Sequence, residues 1–301
     1  MDDFLNTKQA SELLKVNEKK LYVLAQQGKV PATMVTGKWL FPRKKLEEYI
    51  ESRASENLIT IKKVDYDKII LGSGSDDPTI ELIESSFLSF DRDYNFFYSR
   101  IGSFNGLELL KNNCCDISFS HIYDYSSNKF NFTFLEKKFD INKIVVINLF
   151  HRNIGFVYKK DADIDNFSDI VKNRLNFINR QAGSGIRSYV DFLIKNENLK
   201  SEDIIGYSDE VKTHNEIGLK ILFSNKDVGI ATEHIAHLFN LNFKFLQNER
   251  FDLIISKDSF FEKKIQRLID LIRLESFKNK VLGFKGYDIK ETGKVIFDSK
   301  L

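Results

Sequence analysis

The sequence predicts an α/β protein in which a compact helical head precedes a larger domain of alternating strands and helices. Three observations predict it. The chain has 301 residues, too many for one ordinary core and suited to about two domains. Positive charge is concentrated in residues 15–45, and from about residue 66 short apolar strands alternate with helical stretches. With 42% apolar and 29% charged residues, the composition is that of a folded globular chain.

The head is read from 1 to 53. In "LNTKQASELLKVNEKKLYVLAQQGKVPA", Thr7 is a candidate N-cap for a helix whose Ala10, Leu13 and Leu14 share one face. Asn17 caps a second helix bearing Leu21 and Leu24, and Gly28 ends it, which makes a helix-turn-helix. Strand-prone residues flank Thr36-Gly37-Lys38, a hairpin that would form a wing. Pro42 can open a last helix with Leu46, Tyr49 and Ile50 on one side.

Charge says what such a head would meet. From Lys15 to Lys45 there are eight basic residues (Lys15, Lys19, Lys20, Lys29, Lys38, Arg43, Lys44 and Lys45) against Glu18 alone, a balance suited to a phosphate-rich partner. Lys19, Lys20 and Tyr22 fall on the open face of the second helix, which would enter a DNA major groove. Lys38 on the wing and Arg43 beside it would reach the backbone. A linker is expected at 54–65, in "ASENLITIKKVD". Residues 1–58 hold ten basic and eight acidic side chains, leaving 35 of each beyond, so the electrostatic character changes with the domain.

The second domain is read from 66 to 301. "KIILGS" leads into "PTIELIESSFLSF", "NFFYSRIGS" into "FNGLELLKNN", "RLNFINR" into "SGIRSYVDFLIKN" and "DVGIAT" into "EHIAHLFNL". Strand followed by helix, repeatedly, predicts parallel sheets covered on both faces, with ligands outside the carboxyl ends of the strands. Those ends carry Gly72-Ser73-Gly74-Ser75, Gly102-Ser103, Ser120-His121, Gly183-Ser184-Gly185 and Thr232. Helix N-termini offer unpaired N–H groups, and glycines let a ligand approach the backbone. Each junction taken singly is also ordinary capping and turn chemistry; five in succession point to an anion pocket. Arg180 and Arg187 would either pair with the anion or brace the domain through salt bridges.

Catalytic motifs are missing. "AGSGIRS" lacks the Lys of a P-loop, "GSGS" departs from G-x-G-x-x-G, and no G-x-S-x-G occurs. His234 and His237 in "EHIAH" lack H-E-x-x-H spacing and read as exposed surface. Cys114 and Cys115, the only cysteines, exclude a disulfide framework and a four-cysteine metal site, read as core packing, and fit a reducing cytoplasm. The start "MDDFLNTKQASELL" lacks the basic-then-apolar form of a signal peptide, and no run reaches the roughly 18 apolar residues of a membrane helix, so a cytoplasmic location is expected. A non-enzyme without metal or cofactor is expected.

Two resemblances sharpen this. The head resembles the excisionase-type winged helix-turn-helix related to MerR heads, with Thr7, Ala10, Leu13, Gly28, Val30, Pro31, Trp39 and Phe41 at the family's positions. That likeness implies double-stranded DNA as partner and binding as a homodimer or higher homo-oligomer, and adds Trp39 to the DNA-binding set. Residues 66–262 are similar to the periplasmic-binding-protein-like domain found fused to such heads and to molybdopterin-biosynthesis proteins, through "NRQAGSGIR" and "EVKTH" above all. By that likeness the fold is two α/β lobes closing on a ligand, with hinge crossings near 150–160 ("HRNIGFVYKK") and 240–250. Ser73, Ser103, His121, Arg180, Ser184, Gly185, Arg187, Glu210, Thr213 and His214 would face the cleft, alongside Ser75 and Thr232 from the strand-end argument. The family has Thr after Gly185, where this chain has Ile186, so one hydroxyl is lost.

The function expected is a one-component transcription regulator sensing a small oxyanion. Molybdate or tungstate is preferred from the family's association with molybdenum metabolism, with His121, Thr213 and His214 as neutral donors around it. The alternatives are a regulator of an organic anion or a molybdopterin-related metabolite, a non-regulatory anion carrier, and an enzyme of cofactor synthesis.

Overall fold

The computed structural model describes residues 3–56, 65–125, 127, 129–159 and 163–298. Internal contacts divide the chain into two compact units, Met1–Val64 and Asp65–Leu301. Most of the expected linker, 57–64, lies outside the described residues, as does Lys160 of the first crossing.

The first unit is β1 (Phe4–Leu5), α1 (Thr7–Leu14), α2 (Glu18–Gln26), β2 (Thr33–Val35), β3 (Lys38–Pro42) and α3 (Arg43–Glu56). Asn6, one residue before the expected Thr7, is the cap of α1. Its side chain accepts from Gln9 N at 2.9 Å while its own N–H donates to Gln9 Oε1 at 2.9 Å, a reciprocal capping box. Asn17 caps α2 as expected, accepting from Lys20 N at 2.8 Å. The wing turns on Thr36 (φ 48°) and Gly37 (φ 79°), two left-handed residues in a two-residue hairpin loop, so Lys38 already belongs to β3. The strand Phe4–Leu5 went unforeseen; it pairs with β3 on the side away from β2. Leu5, Ala10, Leu21, Ala25, Val30, Phe41 and Leu46 form the core, Tyr49 packs at its margin, and Ile50 is exposed.

The second unit opens with β4 (Ile69–Gly74), α4 (Thr79–Phe90), β5 (Asn95–Arg100), α5 (Ser103–Lys111) and β6 (Ile117–Ser120). A small hairpin, β7 (Tyr123–Asp124) and β8 (Lys129–Phe130), and α6 (Phe132–Lys138) lead to the long β9 (Ile144–Tyr158). Then come α7 (Phe167–Lys172), β10 (Phe177–Arg180), α8 (Gly185–Asn196), β11 (Glu210–Val211), α9 (His214–Phe223), β12 (Val228–Thr232) and α10 (Glu233–Leu238). The return strand β13 (Asn242–Ser256) is followed by α11 (Lys257–Phe260), α12 (Lys263–Arg273), α13 (Glu275–Val281), β14 (Tyr287–Asp288) and β15 (Val295–Asp298).

The expected parallel pairing holds within each half and fails between them. β5, β4 and β6 are mutually parallel neighbours, as are β11, β10 and β12. Between them lie β9 and β13, antiparallel to each other and to the strands on either side, in one sheet of order β11-β10-β12-β9-β13-β6-β4-β5. The chain has to cross from one half to the other and come back, and two strands of 15 residues do both, reaching about 50 Å each. Gly155 lies at the tightest point, where a Cβ would stand 2.0 Å from the Lys244 carbonyl oxygen, and the β13 register slips between Phe245 and Gln247. The two lobes therefore have separate cores, one around Ile83, Phe119, Phe251 and Leu268, the other around Phe156, Phe177, Val190 and Ile230. No helix among the described residues is long and apolar enough to cross a membrane.

Leu21 is wholly buried at the centre of the small head core. Leu21→Ala should cost about 2–5 kcal/mol. In thermal or urea unfolding, the head transition should fall and that of the larger unit stay in place.

Candidate functional site

The carboxyl ends of β4, β6 and β10 and the N-termini of α8 and α9 meet around a buried polar cluster. Its base is Arg152 on β9, with no exposed surface. The guanidinium donates from Nε (3.0 Å) and Nη2 (2.8 Å) to Glu249 Oε2 on the facing strand, and Nη1 pairs with Asp77 Oδ2. Asp77 also accepts from Thr79 N at 2.7 Å at the start of α4 and from Tyr287 Oη at 2.7 Å. Burial works against the Arg152 charge, yet Glu249 and Asp77 outweigh it and hold the group more basic than an ordinary arginine.

Glu249 then orients a histidine. Its Oε1 lies 2.6 Å from His121 Nδ1, and His121 Nε2 lies 2.6 Å from Ser75 Oγ, all three residues being buried. Burial, more than any neighbouring charge, depresses the His121 pKa, while Glu249 is kept below the usual carboxylate range because His121 and Arg152 outweigh its burial. A proton on Nδ1 faces the Glu249 carboxylate, and Nε2 shares a hydrogen bond with the Ser75 hydroxyl. Gly185, the first residue of α8, packs on this ring, and a Cβ there would stand 2.6 Å from His121 Cε1. Glycine at this position brings the second lobe against the first.

The second half of the cluster carries unspent donors. Asp76, next to Ser75, accepts from His214 N at 2.7 Å at the N-terminus of α9 and lies 3.7 Å from Arg180 Nη2 and 3.4 Å from Arg100 Nε. Arg180 Nη2 donates to the Lys212 carbonyl at 2.7 Å, but its Nε and Nη1 are buried with no hydrogen-bond partner. The same holds for both ring nitrogens of His214. Burial pushes the Asp76 carboxyl up, despite Arg180 and the His214 N–H. It pushes His214 well down, with Arg180 and Arg152 adding to the effect. A buried guanidinium edge and an imidazole without partners cost free energy unless something accepts from them, and both stand where a helix N-terminus adds further donors.

Several residues proposed from sequence are engaged elsewhere. Arg187 is not free: it pairs with Glu210 Oε1 at 2.5 Å and Asp191 Oδ1 at 3.2 Å and stacks over Tyr207 at 4.3 Å, so Arg187 and Glu210 brace one lobe. Thr213 caps α9, accepting from Glu216 N at 3.1 Å and donating to Glu216 Oε2 at 3.2 Å. Ser184 caps α8 in the same way, accepting from Arg187 N at 3.1 Å. Ser73 faces α5, with Gly106 O at 3.3 Å and Cys115 Sγ at 3.1 Å, and Ser103 Oγ accepts from His121 N at 3.4 Å. Thr232 is buried at the end of β12. His121, expected as a neutral donor to ligand, spends both nitrogens on Glu249 and Ser75. Cys115 is half-buried and packs against the core around Leu107, Leu110 and Ile254 as expected, whereas Cys114 is exposed, and His234 is half-buried against Phe284.

Asp76, Asp77, Arg152 and Glu249 were missed. The signal available was the charge itself: "DD" directly after a Ser-Gly turn, and single charges interrupting the apolar runs "NLFHRNIGF" and "LQNERFDLII".

On the head, Lys19, Lys20, Tyr22, Lys38 and Arg43 are all exposed. Arg43 approaches Glu47 at 3.6 Å. Trp39 is half-buried against the head core and meets Tyr22 edge-on at 6.3 Å, so its position is that of a packing residue between the wing and α2.

Two α/β lobes joined by two crossing strands, with donors gathered at the strand ends between them, define a solute-binding domain; a winged helix-turn-helix defines a DNA-binding one. Residues 86–273 match the model of the PBP superfamily domain and residues 4–54 that of a helix-turn-helix domain. The chain belongs to the PBP superfamily and carries a helix-turn-helix head, the combination of a ligand-sensing DNA-binding regulator and not of an enzyme family. It is 25% identical over 298 residues to the uncharacterized protein YvgK of Bacillus subtilis (strain 168), covering 95% of this chain and 96% of that one. It is 33% identical over 94 residues to an uncharacterized protein in the ferredoxin 2Fe-2S gene 5′ region of Clostridium pasteurianum, covering 31% of this chain and 83% of that one. Among solved structures, it is similar to a putative phosphate ABC transporter substrate-binding protein with bound phosphate from Clostridium perfringens. The TM-score is 0.57 at 13% identity, over 74% of this chain and all of that one. The tungstate ABC transporter structure from Geobacter sulfurreducens follows at 0.51 and 14%, over 72% and 99%. At such identities these two likenesses concern the fold alone.

Two predictions follow from the buried charges. Arg152→Met should destabilise the larger unit by about 3–5 kcal/mol in urea melts, because Asp77 and Glu249 stay buried without their cation. Buried His214, held well below the usual histidine range by burial and by Arg180 and Arg152, stays neutral in the fold, whereas an unfolded histidine takes up a proton near pH 6.5. The unfolded state then binds more protons, so stability falls as pH drops from about 7.5 to 5.5, by about 1.4 kcal/mol per pH unit for each such histidine below that pKa. His214→Gln should flatten that slope, and an unchanged slope would contradict the assignment.

Proposed function

We propose that this chain is a one-component transcription regulator whose larger domain senses a small oxyanion and whose head binds double-stranded DNA. The observation that carries it is the pair Arg180 and His214, buried with unpartnered donors at the N-terminus of α9, in a chain that also has a basic winged head. Arg180 supplies charge and a planar fork and His214 a neutral ring N–H, at the end of α9 whose dipole favours an anion. Ser75 and Asp76 meet the same ligand from the other lobe. An anion held from both sides binds the closed arrangement better than an open one, which is the condition for it to shift the equilibrium at all.

Molybdate and tungstate were favoured from sequence with His121, Thr213 and His214 as neutral donors. Of the three only His214 remains uncommitted, and a buried arginine replaces the neutral-donor scheme, so the ligand class proposed is the small oxyanion with Arg180 as its charge partner. DNA contact falls to Lys19, Lys20 and Tyr22 on α2, with Lys38 and Arg43 on the backbone and Trp39 holding the wing in place. The regulator acts as a homodimer in the cytoplasm and transfers no chemical group.

Lys20→Ala should weaken binding to the DNA upstream of its own gene and lower the log–log salt slope by about 1, leaving ligand stabilisation unchanged. An anion present at 100 times its dissociation constant should add about 2.7 kcal/mol of stability. Arg180→Lys, which keeps the charge but loses the fork, should lose most of that gain. If no small anion stabilises the wild-type chain, the oxyanion assignment is wrong.

A further inference from the structure

A hairpin of the first lobe is built into the core of the second. β7 and β8 connect β6 to α6, so by chain order the hairpin belongs to the first lobe, and its base is fixed there. Asn131, buried just after β8, accepts through Oδ1 from Ser120 Oγ and Ile122 N, both at 2.8 Å, and donates through Nδ2 to Asp252 Oδ2 at 2.8 Å. Arg250 Nη2 donates to the Phe130 carbonyl at 3.1 Å, and its Nε to Asp252 Oδ2 at 2.9 Å. The far end reaches across. Tyr125 lies parallel to Phe192 of α8, with ring centroids 3.6 Å apart and planes 8° apart, and parallel to Tyr189 at 6.0 Å. With them it joins the margin of the second lobe's core around Phe156 and Val190. Tyr123 meets the Tyr125 ring edge-on at 4.9 Å and packs on Phe130 at 4.7 Å, so the hairpin braces that ring from behind.

We propose that Tyr125 is a latch between the lobes: seated on Tyr189 and Phe192, it holds α8 against the first lobe whatever occupies the cleft. Gly185, which packs on the His121 ring, stands one turn before Tyr189 on the same helix, so latch and cleft wall move as one element. The hairpin base is held by buried hydrogen bonds that include a carboxylate, the tip by ring stacking, which is weaker, so release occurs at the tip. A ligand shifts an equilibrium only by its preference for one arrangement, and a contact that favours closure without it reduces the shift the ligand has to supply. The latch stands on the two-lobed fold and is independent of the anion.

The test is the distance between spin labels on Arg92→Cys in the first lobe and Glu202→Cys in the second, both exposed positions, in the full chain carrying Cys114→Ser and Cys115→Ser. It is measured by pulsed electron double resonance with no oxyanion added. The parent should show one dominant short distance. Tyr125→Ala should raise the ratio of long to short distances by about tenfold, the scale of one well-stacked ring pair. Tyr125→Phe keeps the ring and should match the parent. Phe192→Ala should reproduce the shift from the second lobe, and adding it to Tyr125→Ala should move the ratio less than about twofold further, because the two changes remove one contact. A parent that is already mostly open, an unmoved distribution in Tyr125→Ala, or fully additive shifts in the double variant would each overturn the latch, and none of them bears on whether the cleft takes an oxyanion.

Discussion

The arrangement between the lobes depends on one buried guanidinium. Arg152 has no exposed surface and takes two carboxylates, Asp77 at the start of α4 and Glu249 on β13. Burying three charges together is costly, and it is tolerated only where geometry and extra hydrogen bonds repay the loss of water. Those extra bonds are present: Thr79 and Tyr287 on Asp77, and His121 on Glu249. Each carboxylate is left with one defined orientation, and each hands it on. Asp77 sets the first turn of α4, and Glu249 fixes the orientation of the His121 ring, which in turn holds Ser75 Oγ.

The charge count of the cluster accounts for how the anion site proposed above can contain so many acids. Arg152 is satisfied by Asp77 and Glu249 and has little left for a ligand. Arg180 has Asp76 at 3.7 Å as its ion-pair partner and the Lys212 carbonyl at 2.7 Å, and keeps two nitrogens unpartnered. The usable positive charge thus lies on the second lobe and the usable acceptors on the first. Neither half recognises an anion fully, and a ligand that engages both has to draw them together. The polarity of the cleft is asymmetric because the two halves came from different strand ends of one sheet.

Local pattern carried most of the fold. Hydrophobic period, caps such as Asn17 and the Thr36-Gly37 turn act within a few residues, and helix-turn-helix, wing and each strand-helix unit could be read from them. The antiparallel crossing could not, because β9 and β13 are apolar on both faces over part of their length, which suits a parallel and an antiparallel buried strand alike. The site was half legible for a related reason. Residue type and strand-end position pointed to Ser75, His121 and Arg180, and the family resemblance to His214. Whether a polar side chain is free is decided by partners far along the chain: Glu249 lies 128 residues from His121, and Asp76 lies 138 from His214. Arg187 shows the converse, an apparently free arginine claimed by Glu210 and Asp191.

Placing the base of the cluster on the crossing strands has a mechanical consequence. Arg152 and Glu249 face each other in the register of β9 and β13, only three residues from Gly155 and two from the irregularity at Gln247. A change of angle between the lobes has to be absorbed near those positions, since the strands elsewhere are locked into the two separate halves of the sheet. Ser75 and Asp76 hang from the first half, Arg180 and His214 from the second, and the Arg152–Glu249 pair lies at the pivot they share. Asp76 at the α9 N-terminus and Gly185 on the His121 ring are contacts between the halves, whereas the Arg152–Glu249 pair lies on the crossing strands themselves.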